Sequence, residues 1–135
     1  FTNALGLVSE AQTRRLEAAI RHLPTSCWII ALHHHLMEYP MPVKTFAERI
    51  GTALINGSWF VRRLQKFSDR SVVMHGHRHI DWIGTCGASK IVSAPSPVMG
   101  AADDAVTYFY IHRMVVGPDR KLRLAEPERV EIAGS

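Results

Sequence analysis

Cysteine is scarce in this chain of 135 residues: Cys27 and Cys86 stand alone, with no Cys-x-x-Cys spacing. That sets aside a Cys-x-x-Cys metal or redox motif. Two buried free thiols in a reducing, cytoplasmic compartment are the plainer reading. No apolar run approaches the ~20 residues that a membrane-spanning helix needs, so no membrane segment is read. Internal repeats and low-complexity tracts are also missing. An apolar content of 47% excludes a disordered composition. There is no concentrated basic patch either. The net charge is only +4, and the basic residues scatter as Arg14/Arg15, Arg62/Arg63 and Arg120/Lys121/Arg123. The first two pairs sit on helix-like stretches, so solvated faces explain them better than a nucleic-acid footprint. Residues 1–135 read as one domain, large enough for a real core.

What the chain has is histidine, and it is placed unevenly. Six of the eight histidines fall at the ends of two apolar runs. Ser71-Val72-Val73-Met74 is β-branched and apolar, and it ends in His75-Gly76-His77-Arg78-His79. Trp28-Ile29-Ile30-Ala31-Leu32 runs directly into His33-His34-His35. In extended backbone, residues two apart point to the same side. Neutral imidazoles on the rim of a sheet are good ligands for divalent transition metals. If both runs are strands of one open α/β sheet, their carboxyl ends face one crevice, where such sheets place ligands. Gly76 would then allow a tight turn and close backbone approach.

The surrounding pattern supports an α/β fold. Ser9 and Gln12 have capping-box spacing before a helix with Leu16, Ala19, Ile20 and Leu23 on one face, stopped by Pro24. A strand follows over 27–33, then a loop from Glu38 to Pro42 and a helix over 43–55. A second helix capped by Ser58 carries Phe60, Val61, Leu64 and Phe67. The strand over 71–75 closes a crossover that favours parallel pairing. Strands over 80–86 and 89–94 follow, then a loop over 95–104. Runs over 106–116 and 121–125 flank the turn Gly117–Arg120, so the tail reads as an antiparallel hairpin.

Gly76-His77-Arg78-His79 after a strand resembles the Gly-His-x-His motif that closes the calcineurin-like metallophosphoesterases. Leu32-His33-His34-His35 is similar to the histidine motif one step earlier in that family. Asn3-Ala4-Leu5-Gly6 with Ser9-Glu10-Ala11-Gln12 resembles the stretch after the family's third motif, and Ile91–Ser96 a strand after its last. The motif style is nearest the cyclic-nucleotide-phosphodiesterase-like branch. The family's first three motifs, Asp-x-His, Gly-Asp and Gly-Asn-His-Asp/Glu, do not occur here. With Phe1 rather than Met at the start, the chain reads as the C-terminal part of a longer enzyme. The resemblance implies the C-terminal half of a two-sheet αββα sandwich, with a mixed sheet and a C-terminal antiparallel hairpin.

It also implies hydrolysis of a phosphomonoester or phosphodiester by metal-activated hydroxide, at two divalent ions (manganese, iron or zinc). His33 and His77 would serve one metal and His79 the other. His34, His75 and Arg78 would touch substrate or orient neighbours, the Arg78 guanidinium suiting phosphate oxygens. Asp81, two residues after His79, has two readings from its position alone: a group that orients a ligand beside the metal, or an ordinary surface strand residue. The substrate would be a small phosphate ester. Without the bridging carboxylate the chain alone should be inactive, and half a sandwich should expose a sheet edge, favouring a homodimer.

Other readings are separable. His77-x-His79-x-Asp81 approaches the metallo-β-lactamase motif, but Trp82 stands where that motif needs histidine. Amidohydrolases use His-x-His early, before a long barrel. A non-catalytic metal-binding or structural domain would need about four closed ligands, commonly including cysteine.

Overall fold

A computed structural model describes residues 6–37, 53–98 and 106–132. Over these residues the fold is mixed α/β. In chain order it has α1 (Glu10–His22), β1 (Trp28–Ala31), α2 (Gly57–Leu64), a 3-10 turn (Gln65–Arg70), β2 (Ser71–His75), β3 (Trp82–Cys86) and β4 (Ser89–Ser93). The tail adds β5 (Thr107–Ile111), β6 (Met114–Val116), β7 (Leu122–Leu124) and β8 (Glu128–Ile132).

The start of α1 is written locally. Ser9 Oγ accepts from the Gln12 amide at 3.1 Å, and Gln12 Oε1 accepts from the Ser9 amide at 2.8 Å, which satisfies two amides the helix would leave unpaired. Its buried face differs from the expected Leu16–Ala19–Ile20–Leu23 stripe. Thr13, Glu17 and Ile20 are buried, while Ala19 and Leu23 are exposed. The helix is turned by a charge cluster: Glu17 is drawn inward by Arg63 of α2, whose Nε and Nη2 donate to its two oxygens at 2.7 Å each.

Most of the helix expected over 43–55 lies outside the described residues. Its last residues are not helical. Ala53 bridges His35 and Leu54 bridges Gly6, both in parallel sense. The next helix begins at Gly57 rather than after Ser58, with Asn56 at the cap position. The Asn56 side chain ties down the chain before α1 instead, accepting from the Val8 amide at 3.2 Å and donating to its carbonyl at 2.6 Å. Gly57 stands against the Leu36 carbonyl, and a Cβ there would overlap that backbone oxygen. Gly57→Ala should therefore cost about 1–3 kcal/mol through overpacking against backbone. A lower urea midpoint with an unchanged slope is the expected observation.

Among the described residues a four-stranded sheet has the order β1-β2-β4-β3. β1, β2 and β4 are parallel, and β3 runs antiparallel beside β4. One face carries Ile30, Val73 and Ile91 against Phe60, Val61 and Leu64 of α2. The other carries Val72 and Val92 against Leu122, with Met114 and Leu124 of the tail beside them. Both faces are covered over the central strands β2 and β4, which is why those two read as continuous apolar runs rather than alternating ones. β1 is an edge strand, with Ile29 57% exposed. An apolar groove of about 350 Å³ follows it, lined by Leu16, Trp28, Ile29, Leu32 and Phe60 among others.

The stretch expected as one strand over 106–116 breaks at His112-Arg113 into β5 and β6. β6 and β7 form the expected hairpin around Gly117–Arg120. β8, which was not expected, pairs antiparallel with β5. Three of its five residues are charged, so its extended state comes from its partner rather than from its own propensity. No helix among the described residues is long and apolar enough to cross a membrane.

Candidate metal site at the sheet's carboxyl edge

The pairing of β1 with β2 continues past both strands. The Leu32 amide donates to Met74 O at 2.8 Å, and the Gly76 amide donates to His33 O at 3.3 Å. The two histidine runs therefore leave the sheet side by side. His33 Nε2 lies 3.0 Å from His77 Nδ1. The ring of His34 stands 5.0 Å from that of His33 and 4.7 Å from that of His77. Three imidazoles thus meet above the carboxyl ends of parallel strands.

A second pair lies beneath. His35 and His75 are 1% and 5% exposed. Their rings are 4.5 Å apart and tilted by 34°. Both pKa values are pushed down to about 4. Burial is the main cause, because it disfavours the charged form. His35 is lowered further by His75, while the Gly76 backbone acts in the opposite direction on both. At neutral pH these two rings are uncharged core groups, fixed from their backbones by Leu54 N–H to His35 O at 2.7 Å and Ala94 N–H to His75 O at 2.9 Å.

The turn after β2 is not made by Gly76, contrary to expectation. A Cβ on Gly76 would meet nothing within 4 Å. The left-handed conformations fall on His77 (φ 74°) and His79 (φ 56°). Histidine tolerates this region better than most side chains, yet such residues persist only when their surroundings hold them. His79 and Arg78 are exposed. Among the described residues His79 joins neither imidazole cluster, and no group of three or more His, Cys, Asp or Glu side chains is arranged to hold a metal ion.

The residues still fit part of a metal shell. Zinc–imidazole bonds are about 2.0–2.1 Å long, and two nitrogens 3.0 Å apart suit adjacent positions on one ion. Each must present a lone pair, so His33 would keep its proton on Nδ1 and His77 on Nε2. Cysteine does not contribute. Cys27 precedes β1 and reaches Arg120 O at 3.8 Å. Cys86 ends β3 opposite Ser89, where β4 begins. Both sit at the amino edge of the parallel strands, about 13 Å along a five-residue strand from the histidines, and both are free and half-buried rather than buried.

The sequence reading missed a cluster on the adjoining tail. Tyr108 and Tyr110 both donate to Asp81 Oδ2, at 2.9 and 2.8 Å. These bonds hold both phenols in their protonated form, Tyr110 pushed up to about 12. The available signal was the period of two that puts both tyrosines on one face of a strand. No protein-family model matches the chain, and no curated protein matches it.

Proposed function

We propose that this chain is the C-terminal part of a calcineurin-like metallophosphoesterase domain, contributing His33, His77 and His79 to a dinuclear centre that hydrolyses a small phosphate ester. One observation carries the reading. The two histidine motifs leave adjacent parallel strands at the same edge, with His33 Nε2 3.0 Å from His77 Nδ1.

Two divalent ions (manganese, iron or zinc), when bound, supply Lewis acidity toward phosphoryl oxygens and lower the pKa of water. The chain's own part is narrower. His33 and His77 offer ring nitrogens side by side, and His34 packs against both. Arg78 and His79 are both exposed; Arg78 would meet a phosphate oxygen and His79 would serve the second ion. The carboxylates of the centre belong to the motifs this sequence lacks. The open edge of β1 suits a further strand of the same sandwich, or a second copy in the isolated chain.

Calorimetric titration with Zn²⁺ or Ni²⁺ tests this. Weak binding is expected, lost in both His33→Ala and His77→Ala, with no turnover of a chromogenic phosphodiester by the chain alone. Undiminished binding in both variants would refute the site. Metal-dependent turnover by this chain alone would show the missing motifs to be dispensable and the family assignment wrong.

A further inference from the structure

The segment from Gly76 to Asp81 carries both histidines of the Gly-His-x-His motif, and it is held at both ends. At its start the Gly76 amide donates to His33 O at 3.3 Å. At its end Ser93 Oγ donates to Ile80 O at 2.6 Å, from a side chain buried at the end of β4. The next residue, Asp81, takes two phenol hydrogen bonds on one oxygen, at 2.9 and 2.8 Å. Between these anchors lie two non-glycine residues at positive φ, His77 and His79. Left-handed histidines relax toward ordinary backbone unless something holds them.

The phenols are themselves fixed. Tyr108 and Tyr110 share one face of β5, with ring centroids 5.7 Å apart. The Arg129 guanidinium, on the paired strand β8, sits 3.9 Å above the Tyr108 ring. Charge-assisted bonds to a carboxylate are stronger than neutral ones. The β5–β8 ribbon thus grips the histidine loop through one aspartate.

We infer that Asp81, clamped by Tyr108 and Tyr110, is a positioning residue that holds the Gly76–Asp81 loop so that His77 stays against His33. This rests on the metal reading above. It gives the C-terminal ribbon a part in the site, since a ribbon that merely covered the sheet would need no bond to the loop that carries the ligands.

The test compares wild type with Tyr108→Phe/Tyr110→Phe and with Asp81→Ala in two measurements. The first is amide hydrogen exchange at Gly76 and Arg78 in the metal-free chain. The second is Ni²⁺ affinity by calorimetry, with melting temperature as the control for folding. Both amides should exchange several-fold faster in the variants, and Ni²⁺ should bind about tenfold more weakly, as for other residues that orient ligands. Unchanged exchange would overturn the clamp, whatever the metal result. Faster exchange with unchanged Ni²⁺ affinity would overturn the positioning role. If wild type takes up no Ni²⁺ at all, the metal reading fails and the role falls with it, while the exchange data still report on the clamp. Should the double variant not fold, Tyr108→Phe alone, which keeps the Tyr110 bond, carries the same comparison with a smaller expected change.

Discussion

Between about pH 7 and about pH 5 the folded chain should lose about 3 kcal/mol of stability, and the loss should trace to His35 and His75. Both titrate in the folded protein at about 4, against an ordinary value of 6.5. In that window the unfolded chain binds more protons than the native one, so stability falls as pH drops. Well above the ordinary value of 6.5 both states are neutral and the two rings add no pH dependence. One pKa unit is worth about 1.4 kcal/mol. The two rings touch, so their contributions do not simply add. For a domain whose whole stability is about 5–15 kcal/mol, this is a large share. Urea midpoints measured across the range, with a chelator present, would reveal it. Replacing both rings by leucine should flatten the curve. A wild type equally stable at both ends would mean that the rings are not held neutral in the core.

The second large effect concerns Glu17. Its side chain is 4% exposed, yet it faces Arg63, Lys66 at 3.1 Å and Arg21 at 3.3 Å. The Arg63 hydrogen bonds are the main reason its pKa is lowered, against a burial that would raise it. Its contribution is therefore present at neutral pH and fades only as pH falls below the ordinary glutamate range, lower than the histidine window. Leaving a buried carboxylate wholly unpaired costs about 3 kcal/mol or more, whereas replacing both partners by apolar residues of similar volume is often near neutral; with Lys66 and Arg21 still beside Glu17, losing Arg63 costs a part of that. Arg63→Met should therefore lower the melting temperature more than Glu17→Leu/Arg63→Met does. The contrast separates a requirement for charge from a requirement for pairing. If the single variant melts with the wild type, the cluster is a surface feature and α1 is held by its apolar contacts alone.

How far these features were legible follows from how local they are. The capping box of α1 was readable because both hydrogen bonds lie within four residues. β2 was readable because a β-branched apolar run suits a central strand covered on both faces, and β1 was readable from its apolar run although its Ile29 face is exposed. Their parallel pairing followed from the long crossover between them. Glu17 was not read as buried, although it shares a helical face with Thr13 and Ile20. What draws it inward is Arg63, 46 residues away. β8 was missed for the same reason, since its pairing with β5 alone makes it a strand.

The histidine site divides in the same way. Its residue types, and their position after two apolar runs, were plain in the amino-acid order. Which imidazoles share a space was not. Alternation along each strand is known from sequence, but the register between strands is set by packing and hydrogen bonds across the sheet. That register puts His33 against His77 and sends His35 down to His75. Nothing in the triplet itself distinguishes those two histidines.

The chain's order of residues was enough to determine the start of its first helix, its apolar strands and the end of the sheet where its histidines gather, because each depends on side-chain period and on bonds between near neighbours. Only the folded structure decided which histidines are core and which lie at the open edge of the sheet, which carboxylate is buried, and which tyrosines bond Asp81. Those depend on contacts between distant segments, where burial and partner geometry rather than residue type set the outcome.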